Sequence, residues 1–274
     1  MGETKIEWTA TRLADGTVLP GYSFNPWWGC TKVSQGCKHC YAETLVHRWG
    51  KNDLWGPQGT RRRTSDANWR QPLKWEKQAA ADGVRRRVFC ASMADVFEDN
   101  PGVEDWRHDL YDLIESTPNL IWLLLTKRPE NVLRMTGRWN MGYRTMPDNV
   151  WIGTSVEDNN TAESRIPHLL QVPARVRFLS VEPLLESIHL APWLHPARMG
   201  WNGPLDPFVN WVIVGGESGP GARPMKEAWV RSIQQQCADA HVPFFFKQIC
   251  DQYGRKIPYE QVPVDLQTRE FPHA

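Results

Sequence analysis

The sequence lacks most of what marks a membrane-spanning, secreted or disordered chain. No apolar segment opens it, and its longest purely apolar run, Leu120 to Leu125, is far too short to cross a bilayer. Net charge is +1, so no global field draws the chain towards a polyanion. Internal repeats and low-complexity tracts are missing. The 6 cysteines, 3 of them crowded together, do not make a secreted disulfide framework. These absences set the expectation of a cytoplasmic protein with no membrane partner. What remains, 274 residues with 41% hydrophobic and 23% charged, suits one globular α/β domain over 1–274.

The crowded cysteines lie in Asn25 to Glu43, N-P-W-W-G-C-T-K-V-S-Q-G-C-K-H-C-Y-A-E. Cys37 and Cys40 have the C-x-x-C spacing that lets two thiolates reach one metal centre, and Cys30 precedes them in the same loop. Gly29 and Gly36 each stand directly before a cysteine, where a missing Cβ permits positive φ and close approach to a bulky inorganic group. Y-A-E-T-L-V-H-R-W has helical spacing, which puts Cys40 at a helix N-terminus, where the macrodipole favours thiolate.

A fourth thiol is what this loop does not have. Closed zinc sites take four ligands, and electron-carrying iron–sulfur clusters typically take four cysteines. Three thiolates leave one iron of a [4Fe–4S] cluster open to chelate a small molecule, as S-adenosylmethionine radical chemistry requires. A zinc knuckle completed by His39 or His47 and a trio of unrelated buried thiols both stay open. Cys90, Cys237 and Cys250 fall in or beside apolar segments and read as packed small hydrophobes.

Along the rest of the chain, short apolar runs alternate with helical patterns. Strands are expected at Ser23–Trp28, Arg86–Met93, Leu120–Lys127, Val150–Val156, Val176–Glu182, Trp211–Glu217 and Pro243–Gln248. Helices are expected near Pro72–Ala81, Val103–Ser116, Pro129–Met135, Asn160–Leu170 and Lys226–Ala240. Near-continuous apolar strands separated by helices imply a parallel sheet clothed in helices, here a partial (β/α) TIM-like barrel of about six to seven strands, with a doubly wound open sheet as the alternative. Residues 1–22 read as an irregular lead-in with a hairpin at Asp15-Gly16, 50–70 as a functional loop or lid, Ala191–Pro196 with Asn202–Pro207 as an insertion, and 252–274 as a tail wrapping the barrel.

Polar residues follow each apolar run: Ser92 and Asp95; Thr126, Lys127 and Arg128; Thr154, Ser155, Glu157 and Asp158; Ser180 and Glu182; Glu217 and Ser218; Lys247 and Gln248. In a β/α barrel these ends converge on one mouth, where the site is built, and the cysteine loop opens onto the same mouth. Arg61-Arg62-Arg63 and Arg85-Arg86-Arg87, with 15 tryptophans, are the pairing that grips phosphates and stacks on bases, which makes nucleic acid a candidate partner.

With G-C-T-K-V-S-Q-G-C-K-H-C-Y-A-E, F-C-A-S-M-A-D-V-F, L-L-L-T-K-R-P, V-W-I-G-T-S-V-E, F-L-S-V-E-P-L and W-V-I-V-G-G-E-S-G in view, the chain resembles the three-cysteine-motif family of phage and bacterial proteins classed with the radical S-adenosylmethionine superfamily. The resemblance covers most of the chain. It implies a partial barrel, a [4Fe–4S] cluster on Cys30, Cys37 and Cys40, S-adenosylmethionine as cofactor, and a flavodoxin- or ferredoxin-type electron donor. Two departures stand out. Six residues, not three, separate the first two cysteines, and Gly215-Gly216-Glu217 ends the sixth expected strand, not the second. The superfamily's Gly-Gly-Glu role is therefore not transferred.

Position then supplies the site candidates. Ser92 and Asp95 are placed for the amino end of the cofactor, and Ser155, Glu157, Ser180 and Glu182 for its ribose or carboxylate. Lys127, Arg128 and Lys247 are candidates to grip an anionic substrate or move a proton, or else to pair with Glu157, Glu182 or Glu217. The expected activity is reductive cleavage of S-adenosylmethionine to a 5′-deoxyadenosyl radical acting on a substrate at the mouth, with nucleic acid or a modified nucleobase, hence DNA modification or repair, as the leaning. The alternative is a non-catalytic nucleic-acid-binding protein holding zinc or a cluster.

Overall fold

The computed structural model describes residues 2–51, 53–140, 146–194, 208–251 and 253–272. Seven strands form one sheet: β1 (Tyr22–Ser23), β2 (Arg86–Cys90), β3 (Leu120–Thr126), β4 (Val150–Ser155), β5 (Val176–Val181), β6 (Trp211–Gly215) and β7 (Phe244–Gln248). Every neighbour pair is parallel and spatial order follows chain order. A sheet wound in one direction, with β1 and β7 left as separate edges, is a half-barrel; a doubly wound sheet would reverse its order midway.

The main crossover helices are α1 (Tyr41–Arg48), α2 (Gln71–Asp82), α3 (Glu104–Glu115), α4 (Asn159–Leu170) and α5 (Glu227–Ala240). Their borders fall within one or two residues of the expected ones. Pro129–Met135 resolves into a 3-10 turn followed by a short helix, Val132–Met135.

Side-chain alternation divides the core into two layers, because successive strand residues point to opposite faces. Val88, Cys90, Trp122, Leu124 and Ile152 face the helices together with Cys237 of α5. Phe89, Leu123, Trp151, Phe178, Trp211 and Phe245 face inwards and fill the concave side. Gly153 is required there, since a Cβ would strike the ring of Phe178. Trp8, in a 3-10 turn of the lead-in, is 2% exposed and meets Phe89 edge-on at 4.7 Å between centroids. The lead-in is thus a plug of the half-barrel as well as an irregular segment, although its hairpin stands as expected, Thr11–Arg12 against Val18–Leu19. From the tail, Phe271 packs on Trp211 and Phe245, and Arg269 bridges antiparallel to Phe245 of β7.

Two expectations need correction. The first strand of the sheet ends at Ser23; Trp27–Trp28 leaves it to pair antiparallel with Arg62–Arg63, because Pro26 interrupts the run. That pairing, with a short helix at Asp66–Trp69, orders part of the segment read as an unpatterned loop. The expected insertion lies mostly outside the described residues, apart from a turn at Ala191–Trp193. No helix among the described residues is long and apolar enough to cross a membrane.

Candidate active site

A cavity of 530 Å³ opens at the C-terminal ends of the strands. Cys30, Cys37 and Cys40 line it with Ser92, Asp95, Lys127, Ser155, Ser180, Glu182 and Lys247, so of the candidate residues only Glu157 stays behind the wall, fully buried. Parallel winding brings these ends together, although up to about 200 residues of chain separate them.

The cysteine loop is held from four directions. On its first flank, Arg128 donates from Nη2 to the carbonyl of Thr31 at 2.6 Å, and its Nη1 lies 3.7 Å from Cys30 Sγ and 2.8 Å from Asp95 Oδ2. Glu98 accepts from the Thr31 backbone N–H at 2.9 Å and takes Nε and Nη2 of Arg61 on its two oxygens, both at 2.8 Å. On the second flank, Ser34 donates to Glu157 at 3.1 Å and lies 3.8 Å from Cys37 Sγ. Arg223, gripped by Glu217, donates to the carbonyl of Gln35 at 3.0 Å.

The two glycines before the cysteines have distinct reasons. Gly29 sits at φ +108°, and a Cβ there would meet the Leu54 carbonyl and the Arg61 side chain. A Cβ on Gly36 would collide with the Glu157 carboxylate. The space Gly36 provides is therefore filled by protein, which corrects the expectation that it serves an inorganic group.

The thiols are free of disulfides. Burial pushes Cys30 up to about 12, helped by the Asp95 and Glu98 carboxylates and opposed by Arg128. Cys40 caps α1 as expected, yet burial outweighs the backbone N–H groups of Glu43 and Ala42 and leaves its thiol raised. The helix terminus therefore does not by itself offset the burial of this thiol. His47 is exposed on α1, and His39 lies against Gly221. Among the described residues no three His, Cys, Asp or Glu side chains gather as closely as one metal ion demands.

The charged candidates are already partnered. Lys127 Nζ lies 2.7 Å from Glu157 Oε1, and Arg165 holds the other oxygen at 2.9 Å. Lys247 meets Glu182 at 2.8 Å, while Ser180 donates to the second oxygen at 3.0 Å. Asp95 accepts from Thr126 Oγ1 and from the backbone of Phe97 and Lys127 besides Arg128, so neither of its oxygens is idle. Asp95 and Glu157 thus brace the mouth. Asp158 caps α4 through a reciprocal pair with Thr161. Gly215 clears room for the Glu182 carboxylate, and hydrogen bonds from Arg223 outweigh burial to hold the Glu217 carboxyl below the usual range. Ser92 exchanges hydrogen bonds with Asn25, and Ser155 Oγ has no hydrogen-bond partner among the described residues.

Most arginines of the two triplets are engaged within the protein. Arg61 is buried on Glu98, and Arg63 lies over Trp69 at 3.9 Å and pairs with Asp109. Arg86 bonds Asp82, and Arg87 donates to the Ala10 carbonyl from inside the core. Of the six, only Arg62 is exposed, and half of the described tryptophans are buried in the core. Glu98, Arg223 and Trp8 escaped the sequence reading; an apolar Ile6-x-Trp8 within a polar lead-in was the one available signal.

Residues 3–268 match the family described as protein of unknown function (DUF5131). The chain belongs to that family. No curated protein matches it in sequence. Among solved structures, spore photoproduct lyase complexed with dinucleoside spore photoproduct is similar at TM-score 0.44 and 15% identity, covering 77% of this chain and 58% of that one. A mutant of that lyase with bound AdoMet and dinucleoside spore photoproduct gives TM-score 0.45 and 15% identity, with 79% and 60% covered. The chain thus spans about three fifths of the length of either structure.

Proposed function

We propose that this family member is a radical S-adenosylmethionine enzyme. The observation that carries the proposal is the trio Cys30, Cys37 and Cys40, free of disulfides and lining the mouth cavity of a parallel half-barrel. The donor set fits a [4Fe–4S] cluster: three sulfurs, a guanidinium beside the first, and a loop tied down through backbone and side chains. Such a cluster, reduced by a flavodoxin- or ferredoxin-type donor, supplies the electron that cleaves S-adenosylmethionine to a 5′-deoxyadenosyl radical able to abstract hydrogen.

The chain's own residues then divide the work. Arg128, Glu98 and Glu157 keep the sulfurs facing the cavity. Ser92, Ser155, Ser180 and Glu182 border the cavity and would meet the cofactor's amino, carboxylate and ribose groups. Lys127 and Lys247, each holding a glutamate, present positive charge to an anionic substrate.

The test is anaerobic reconstitution with iron and sulfide. A brown protein that bleaches with dithionite and forms 5′-deoxyadenosine from S-adenosylmethionine is the expected result. A colourless protein carrying stoichiometric zinc overturns the proposal.

A further inference from the structure

One surface beside the cysteine loop is not accounted for by the catalytic reading. Trp55 lines the cavity and is bridged to Cys30; Trp28 packs with it on the small core under Cys40; Trp49, 49% exposed, lies 5.3 Å from Trp28 between ring centroids. Three indoles therefore run from the cavity to open surface. Cations accompany them. Lys51 Nζ sits 4.9 Å over the Trp28 ring, and Arg62 is paired opposite Trp28 in an antiparallel ladder, where facing residues share one side. Arg48 precedes Trp49, and neither Arg48 nor Arg62 makes an ion pair among the described residues. Among the described residues of 48–62, the one exposed carboxylate is Asp53, which accepts from Thr60 Oγ1.

We infer that this strip is the docking surface for a single-stranded nucleic acid, whose target nucleotide reaches the cavity past Trp55. The inference rests on the proposed function for its catalytic meaning, though not for binding. Indole faces offer a π-platform to any base, and interleaved cations meet the backbone phosphates, which is the combination that unpaired strands require. A duplex hides its base faces. The net charge of +1 makes the local excess of cations the attractive element, since the whole molecule supplies none.

The test is fluorescence anisotropy with a labelled mixed-sequence DNA strand of roughly 12 nucleotides. The wild-type chain is expected to bind it better than the matching duplex. Trp49→Ala should weaken binding ~10-fold by removing one stacked base. Arg62→Ala should flatten the dependence of log affinity on log salt by about 0.7 for one lost phosphate contact. Iron content and 5′-deoxyadenosine yield should stay at the wild-type level in both variants, and unchanged melting temperatures exclude misfolding. Absence of wild-type binding, or equal binding by both variants, overturns the inference. So does weakening by these variants of an acidic flavodoxin's binding alone, which would make the strip an electron-donor face. Normal strand binding by a protein that forms no 5′-deoxyadenosine leaves the inference standing and removes the catalytic proposal instead.

Discussion

The two flanks of the cysteine loop are held by different physics. Around Cys30 the braces are buried: side-chain exposure is 2% for Arg61, 5% for Glu98, 9% for Arg128 and 7% for Asp95. Around Cys37 the braces reach in from the cavity edge, with Lys127 22% and Arg223 25% exposed, and only Glu157 is fully enclosed. A charge that has lost its partner inside the protein has nowhere to go, whereas one at the edge can turn to water. The first sulfur is consequently held by buried braces, Cys37 by a loop braced from the cavity edge, and Cys40 by its place at the N-terminus of α1 over a small core.

The sharpest break comes from the sulfurs themselves. Cys37→Ala is expected to abolish iron retention and 5′-deoxyadenosine formation, while Cys237→Ala, buried in the helix-side core, should leave both intact. Iron and sulfide analysis after anaerobic reconstitution reads the difference; equal loss in both variants would remove the ligand assignment. Next in size is Glu98→Gln. It strips the carboxylate from Arg61 and Arg128 in a buried site and should destabilise the fold by about 3–5 kcal/mol in urea titration.

The same contrast separates what the sequence could tell from what it could not. Strand ends, the cysteine trio and α1 were legible because each is local: apolar runs, a C-x-x-C spacing, a helical period. The braces were not. Arg61 meets Glu98, and Arg128 meets Thr31, across 37 and 97 residues of chain, so no spacing announces either pair. The arginine triplets misled for a related reason. A run of like charge looks like surface, but β2 carries Arg86 and Arg87 into the core wall, where Asp82 and the Ala10 carbonyl receive them. Trp8 was missed because a plug contributed by a lead-in has no periodicity. Its removal tests that assignment: Trp8→Ala should cost about 3–5 kcal/mol, the range for deleting a large buried aromatic.

On the second flank the expected cost is smaller. Glu157→Gln leaves Arg165 poorly paired in the wall, but Lys127 can swing into the cavity and regain water. A loss of about 1–3 kcal/mol in the same urea titration is expected. The variant should also keep less iron than wild type, since Ser34 loses a charged acceptor beside Cys37. If Glu157→Gln costs as much as Glu98→Gln, the two flanks are equally rigid and the contrast fails.

The smallest effect is one of pH, on the cluster-free protein. Burial raises the Cys30 thiol from an ordinary value near 9 to about 12, so the folded chain holds a proton there that the unfolded chain has already released. Stability falls with rising pH wherever the native state binds more protons, so this contribution is complete below about pH 9 and is lost progressively up to about pH 12. Cys30→Ala should therefore show a shallower decline of unfolding free energy across that window than the parent chain. Urea titrations at matched pH values compare the slopes, and the difference cancels whatever the other alkaline groups contribute to both. Coincident slopes would mean that Cys30 is as solvated as an unfolded thiol, and the buried flank of the loop would lose its distinction from the exposed one.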